Sequence, residues 1–310
     1  MAEKKSLRVA YGEALVELGA RNDKVVVMDA DLSQATKTEI FKEKYPGRFF
    51  DFGIAEADLM AEAAGFAHEG LIPFASTFAL FGTGRAYEII RNSISYVNAN
   101  VKLGLSHSGL CVGEDGGSHQ SVEDIALMRV LPGMTILVPC DAVEMRKAVF
   151  AAAEINGPVY IRVARPVCDV ITSESDPFVP GKANVLRDGG DVCIIAAGLM
   201  VPEALKAAEL LKTEGVNAAV VNMHTIKPID SDIILKMAEK CGAVVTAEEH
   251  SIIGGLGSAV AEVLAGKSGA KFDRVGIMDR FGQSGKPADL FREYGLTPEN
   301  IAQKCRALLK

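Results

Sequence analysis

Short apolar runs rich in Val, Ile and Phe alternate along the chain with amphipathic stretches of helical length, the pattern of parallel strands joined by crossover helices. The runs Val25 to Met28, Phe49 to Phe52, Ile72 to Ser76, Val101 to Ser106, Thr135 to Val138 and Val159 to Val163 predict strands. Between them, Ser6 to Leu18, Ala55 to His68, Gly84 to Tyr96, Val122 to Leu131 and Ala142 to Glu154 predict helices, which makes one doubly wound unit over residues 1–170. After Arg165 the texture changes: Thr172 to Asp176 is polar, and Pro177, Pro180 and Gly181 interrupt any regular element. A linker is expected at 171–188. The alternation then resumes with strands at Val192 to Ala196, Val216 to Val221, Ala243 to Thr246 and Val275 to Met278. Helices at Pro202 to Thr213, Ser231 to Lys240 and Gly257 to Leu264 separate them, so a second, smaller α/β domain is expected over 189–310.

The length of 310 residues agrees with two domains rather than one. A net charge of −7 without a dense basic run argues against a nucleic-acid role, because phosphate backbones demand clustered Lys and Arg. No stretch reaches the ~20 apolar residues of a spanning helix and the start is charged, so no membrane role and a cytoplasmic location are expected. The six cysteines are scattered without a C-x-x-C pair, which reads as reduced, mostly buried thiols.

In parallel sheets of this kind, ligands bind at the carboxyl ends of strands. Three such places carry chemistry. In Asp51-Phe52-Gly53-Ile54-Ala55-Glu56, a strand ends at a glycine and a carboxylate follows on the first turn of a helix. That position suits an acid for dipole reasons alone; the sharper reading is a buried carboxyl group hydrogen-bonded to a ring nitrogen of a cofactor. In Ser76 to Gly84, Phe78 and Phe81 lie three apart and can stack a flat heterocycle, although paired aromatics are commonly plain core. The loop His107 to Gln120 holds two of the chain's five histidines, two acids and four glycines in fourteen residues. A ligand site is favoured there, with a metal bound by His107, Asp115 and His119 as the competing reading. In the second domain, Gly254-Gly255-Leu256-Gly257 opens a helix after Glu248-Glu249-His250, where close packing explains the glycines as well as an anion site does.

Read together, these segments resemble the C-terminal half of transketolases, in order and over essentially the whole chain. The likeness is carried by Cys111-Val112-Gly113-Glu114-Asp115-Gly116 with Ser118-His119-Gln120 and Glu123-Asp124. Asp29-Ala30-Asp31-Leu32, Thr77-Phe78 with Phe81, Ile226-Lys227-Pro228-Ile229-Asp230 and Glu248-Glu249-His250 add to it. The resemblance implies a pyrimidine-binding domain of thiamine diphosphate enzymes followed by the transketolase C-terminal domain. It implies that Glu56 bonds the aminopyrimidine, that Phe78, Phe81 and Ile54 line its pocket, and that His107 and His119 assist the reacting centre. His107, Asp115, His119, Arg165 and Arg8 would bind sugar phosphate substrates. No residue of this chain is expected to bind a metal. The family's Gly-Asp-Gly segment with its following Asn, which holds the diphosphate and a Mg2+ or Ca2+ ion, is missing. The resemblance therefore implies an N-terminal partner subunit and an α2β2 heterotetramer. Ala35, Ala55, Ala57 and Gly84 depart from the family pattern at positions that bear on substrate choice rather than on the cofactor. The nearest rival is the β subunit of a 2-oxoacid dehydrogenase, which shares fold and cofactor but lacks the histidine-rich loop. A non-catalytic relic of the fold is the alternative of a different kind.

Overall fold

The computed structural model describes residues 3–310. Seven strands form the first sheet, in the spatial order Thr225–Lys227, Thr135–Leu137, Val159–Val163, Lys102–Ser106, Ile72–Ser76, Val25–Asp29 and Phe49–Asp51. All run parallel except Thr225–Lys227, which lies antiparallel to Thr135–Leu137. Val25–Asp29, Lys102–Ser106 and Val159–Val163 are buried at every residue, which is why they read as largely apolar runs. Alternate side chains serve opposite faces. Val25 and Val27 join a core with Leu7, Leu15, Met145 and Val149 of the helices Leu7–Arg21 and Ala142–Glu154. Met28, Leu103 and Leu105 join another with Leu59, Met60 and Ala63 of the helix Glu56–His68. Lys102 is one buried charge among them: its ammonium donates to Asn100 Oδ1 at 2.7 Å and to the carbonyl of Gly157 at 2.8 Å, and burial pulls its pKa down to about 7.

The second sheet has five strands in the order Lys271–Ile277, Ala243–Ser251, Val192–Ala196, Ala218–Asn222 and Asn184–Arg187. The first four are parallel and the last is an antiparallel edge. Helices Met200–Thr213 and Pro298–Leu309 cover one face, and Ser231–Cys241 and Leu256–Leu264 pack on the other, in a core continuous with that of the first domain.

Several local expectations differ. The stretch expected as a linker at 171–188 ends in the edge strand Asn184–Arg187. Its beginning is anchored too, because Asp141, the N-cap of the helix Ala142–Glu154, accepts N–H bonds from Ile171 and Thr172 at 2.8 and 2.7 Å. The helix expected from Gly84 begins earlier, at Ala79, and contains two wide π-helical segments, Phe81–Arg85 and Ile90–Ser95. A short ribbon pairs Lys4–Ser6 with Val167–Asp169. All six cysteines are free, and only Cys168 is not buried. Among the described residues no helix is long and apolar enough to cross a membrane.

Candidate active site

The carboxyl ends of the first sheet's strands gather the predicted residues. Beyond Phe49–Asp51, the Asp51 carboxylate accepts the N–H groups of Asp31 and Gly53 at 3.0 Å each, and Gly53 takes a left-handed φ of 68° that turns the chain into the next helix. Glu56 is the first residue of that helix and is 4% exposed. Its Oε2 is buried and finds no hydrogen-bond partner among the described residues. The nearest cation, Arg85 Nη1, stands 3.9 Å away on a side chain that is itself 68% exposed. A buried acceptor left unmet costs about 1–3 kcal/mol, so such an atom marks a place built for an external donor. Ile54, two residues earlier, is 78% exposed and takes no part in the buried cluster.

The π-helical segment that carries Arg85 begins at Phe81 and packs against the Glu56 helix. Phe78 and Phe81 stack with ring centroids 5.7 Å apart and planes inclined by 22°. On Phe78 lies the imidazole of His107, at 3.9 Å; His119 meets the Phe81 ring edge-on at 5.3 Å. His107 is buried and held in the left-handed region with φ of 57°, a costly conformation for a residue with a side chain and one that concentrates at functional sites. Its Nδ1 shares a hydrogen with Ser106 Oγ at 2.9 Å. Burial, then the charges of Arg8 and Arg165, pull its pKa down to about 3, so the ring is neutral near pH 7. His119 Nδ1 pairs with Ser118 Oγ at 3.0 Å.

Two arginines complete the group. Arg8 donates from Nη1 to the carbonyl of Ala35 at 2.7 Å and from Nε to the carbonyl of Arg165 at 3.1 Å. Burial and the neighbouring Arg165 charge lower the Arg8 pKa, the mark of two cations held together. Arg165 in turn donates to the carbonyl of Val112 and stands 3.8 Å from the Glu114 carboxylate. Asp115 lies exposed on the same loop. Among the described residues no three His, Cys, Asp or Glu side chains converge as a ligand set, and His107 Nδ1 is engaged by Ser106.

Sequence reasoning passed over two contributors. Asp29, wholly buried, accepts bonds from Leu32 N, Thr36 Oγ1 and Thr38 Oγ1 at 2.7–2.8 Å and so shapes the turn that offers the Ala35 carbonyl to Arg8. Burial raises its pKa to about 6. Glu249, from the second domain, accepts the N–H of Cys111 inside the histidine loop. The available signal for the first was the pair of threonines behind Asp29; for the second, it was an acid pair in a strand.

Residues 3–169 match the family model of the transketolase pyrimidine-binding domain, and residues 181–301 that of the transketolase C-terminal domain. The chain belongs to the transketolase family. It is 48% identical over 309 residues to a protein of Methanocaldococcus jannaschii named for a transketolase C-terminal section, covering 99% of this chain and 97% of that one. It is 44% identical over 297 residues to a 6-deoxy-6-sulfo-D-fructose transketolase subunit of a Clostridium species, covering 96% and 92%. A solved structure described as a split gene transketolase, inactive beta4 tetramer, superposes with a TM-score of 0.92 at 51% identity, covering 98% of each chain. Family membership supports an enzyme of the transketolase type and implies dependence on thiamine diphosphate. The residues present fit that cofactor: a buried carboxylate oxygen lacks a donor among the described residues, close to a segment whose two phenyl rings give a flat heterocycle an apolar wall.

Proposed function

We propose that this chain is the C-terminal subunit of a split transketolase, which moves a two-carbon ketol unit from a ketose phosphate to an aldose phosphate. It works only with an N-terminal partner subunit, in a cytoplasmic α2β2 assembly. The single observation that carries this reading is the orphaned Oε2 of Glu56, the first residue of the helix Glu56–His68. When bound, thiamine diphosphate supplies the carbanion-stabilising chemistry. Glu56 would hold a hydrogen bond at the pyrimidine ring nitrogen, with Phe78 and Phe81 as its apolar wall and Ile54 at the exposed rim. The diphosphate and its Mg2+ or Ca2+ ion fall to the partner, since this chain has no Gly-Asp-Gly segment.

On the substrate side, His107, held neutral by its burial, and His119 would bond the oxygens next to the reacting carbons, and Asp115 a sugar hydroxyl. Arg8 and Arg165 make a cationic end for the terminal phosphate. Position 35 favours a second reading of the substrate, in which a non-standard sugar replaces the pentose phosphate: alanine has no hydroxyl to offer there, and its carbonyl is already bonded to Arg8. The sulfosugar in the Clostridium relative's name is consistent with such variation.

Co-purification with the N-terminal subunit, followed by an assay with xylulose 5-phosphate and ribose 5-phosphate, tests the proposal. Ketol transfer is expected from the pair and not from either chain alone. Robust transfer by this chain by itself would overturn it, and transfer by the pair with another donor only would select the non-standard sugar.

A further inference from the structure

The histidine loop belongs to the first domain, yet its shape is set in large part by the second. Four consecutive residues are each held through their main chain. The N–H of Cys111 donates to Glu249 Oε1 at 2.6 Å; the carbonyl of Val112 accepts from Arg165. The carbonyl of Gly113 accepts from Gln120 Nε2 at 3.1 Å, and that of Glu114 from Ser284 Oγ at 2.6 Å. Gln120 also donates to the carbonyl of Gln283 at 3.0 Å, so the far end of the loop is tied to the second domain as well.

Glu249 is a buried anchor from the second domain. It is 3% exposed, on the strand Ala243–Ser251. Arg162 fixes it: Nη2 donates to the Glu249 carbonyl at 3.0 Å, and Nη1 lies 4.0 Å from Oε2. Arg162 is in turn gripped by Asp124, with Nε to Oδ2 at 2.6 Å. Close approach of the carboxylate to the loop depends on Gly109, which has φ of 76° and where a Cβ would sit 2.4 Å from Oε1. A neighbouring group fixed to within a few tenths of an ångström is what an active-site loop requires of its support.

We propose that Glu249 is a positioning residue for ketol transfer, reaching from the second domain to the N–H of Cys111 and thereby setting the loop that carries His107 and His119 and presents the Val112 carbonyl to Arg165. The inference rests on the functional reading above. Its reach and its charge are separable. Glu249→Asp keeps the charge for Arg162 and withdraws the acceptor from Cys111, whereas Glu249→Gln keeps the acceptor and removes the charge.

Both variants are to be studied in the full chain combined with its N-terminal partner, by amide hydrogen exchange over residues 109–116 and by steady-state kinetics. For Glu249→Asp, exchange at Cys111 is expected to quicken about tenfold or more, and KM for the phosphorylated ketose to rise at least fivefold. Affinity for thiamine diphosphate stays within twofold. Glu249→Gln is expected to stay within threefold of the wild type in all three. The reverse ordering, or unchanged exchange and KM in Glu249→Asp, would show that Glu249 only balances the Arg162 charge and would overturn the inference. If instead the wild-type pair showed no ketol transfer, the functional reading would fall and the role in that reaction with it, while the exchange ratios would still decide whether Glu249 holds the loop.

Discussion

Replacing Glu56 by Gln separates stability from activity. The change is isosteric and removes a carboxylate whose Oε2 is buried without a partner, so part of a penalty of about 1–3 kcal/mol is relieved. Against this stands the loss of attraction to Arg85 at 3.9 Å; that side chain is mostly in water, where an ion pair is worth about 0–1 kcal/mol. The net effect on folding is expected to lie within about 1 kcal/mol of zero. Turnover tells a different story, because the loss of a positioned proton-holding group costs about 10²–10⁴ in rate, or about 3–5 kcal/mol of barrier at 1.36 kcal/mol per tenfold. Thermal unfolding of the variant chain and ketol-transfer assays with the partner subunit measure the two halves. Turnover within tenfold of wild type would remove Glu56 from the chemistry. A stability loss above about 1.5 kcal/mol would show that Oε2 already has a partner in the unliganded chain.

Arg165→Ala is expected to raise KM for phosphorylated sugars by about ten- to a hundredfold, the equivalent of a charged hydrogen bond of about 1.5–3 kcal/mol; an unchanged KM in initial-rate kinetics would place the phosphate elsewhere. Asp124→Asn takes from buried Arg162 its nearest counter-charge, at 2.6 Å, and should lower stability by about 3–5 kcal/mol in denaturant melts, whereas a loss under about 1 kcal/mol would mean that Glu249, 4.0 Å away, suffices to balance the charge. His107 has a folded pKa of about 3 against about 6.5 when unfolded. The unfolded chain therefore binds a proton that the folded chain refuses, and stability should fall as pH drops through that window. His107→Asn, which tolerates the left-handed backbone, should flatten that part of a Tm-against-pH curve.

The first sheet was legible because strands buried on both faces leave continuous apolar runs, and Val25, Val101 and Val159 open three of them. The second domain was legible only in part. The strand from Ala243 runs on through Glu248, Glu249 and His250 to Ser251, past its expected end at Thr246. Polarity misleads there because each group is buried against a partner: the Glu248 carboxylate takes the N–H groups of Leu256 and Gly257 at 2.7 and 2.8 Å, and His250 Nε2 that of Ala126 at 3.3 Å. The edge strand Asn184–Arg187 hid among Pro180, Gly181 and mixed polarity. At the site, Glu56, Phe78, Phe81, His107 and His119 were each visible as residues after a strand. The spacing gave no hint that His107 would lie flat on Phe78, since that contact depends on the left-handed turn at position 107. Contacts between domains, such as that of Glu249 with Cys111, leave no periodic trace in a sequence.

The strand Thr225–Lys227 comes from the second family domain but completes the first domain's sheet, beside Thr135–Leu137, and the carbonyl of His224 accepts the N–H of Val138 at 2.8 Å. The two modules are thus sewn together by main-chain bonds and are unsuited to being handled as detachable parts. A fragment ending near residue 180 would bare a ready template for strand addition at Thr135–Leu137 and be prone to stick to copies of itself. Any recombination of this family by module exchange should keep residues 224–227 with the sheet they close.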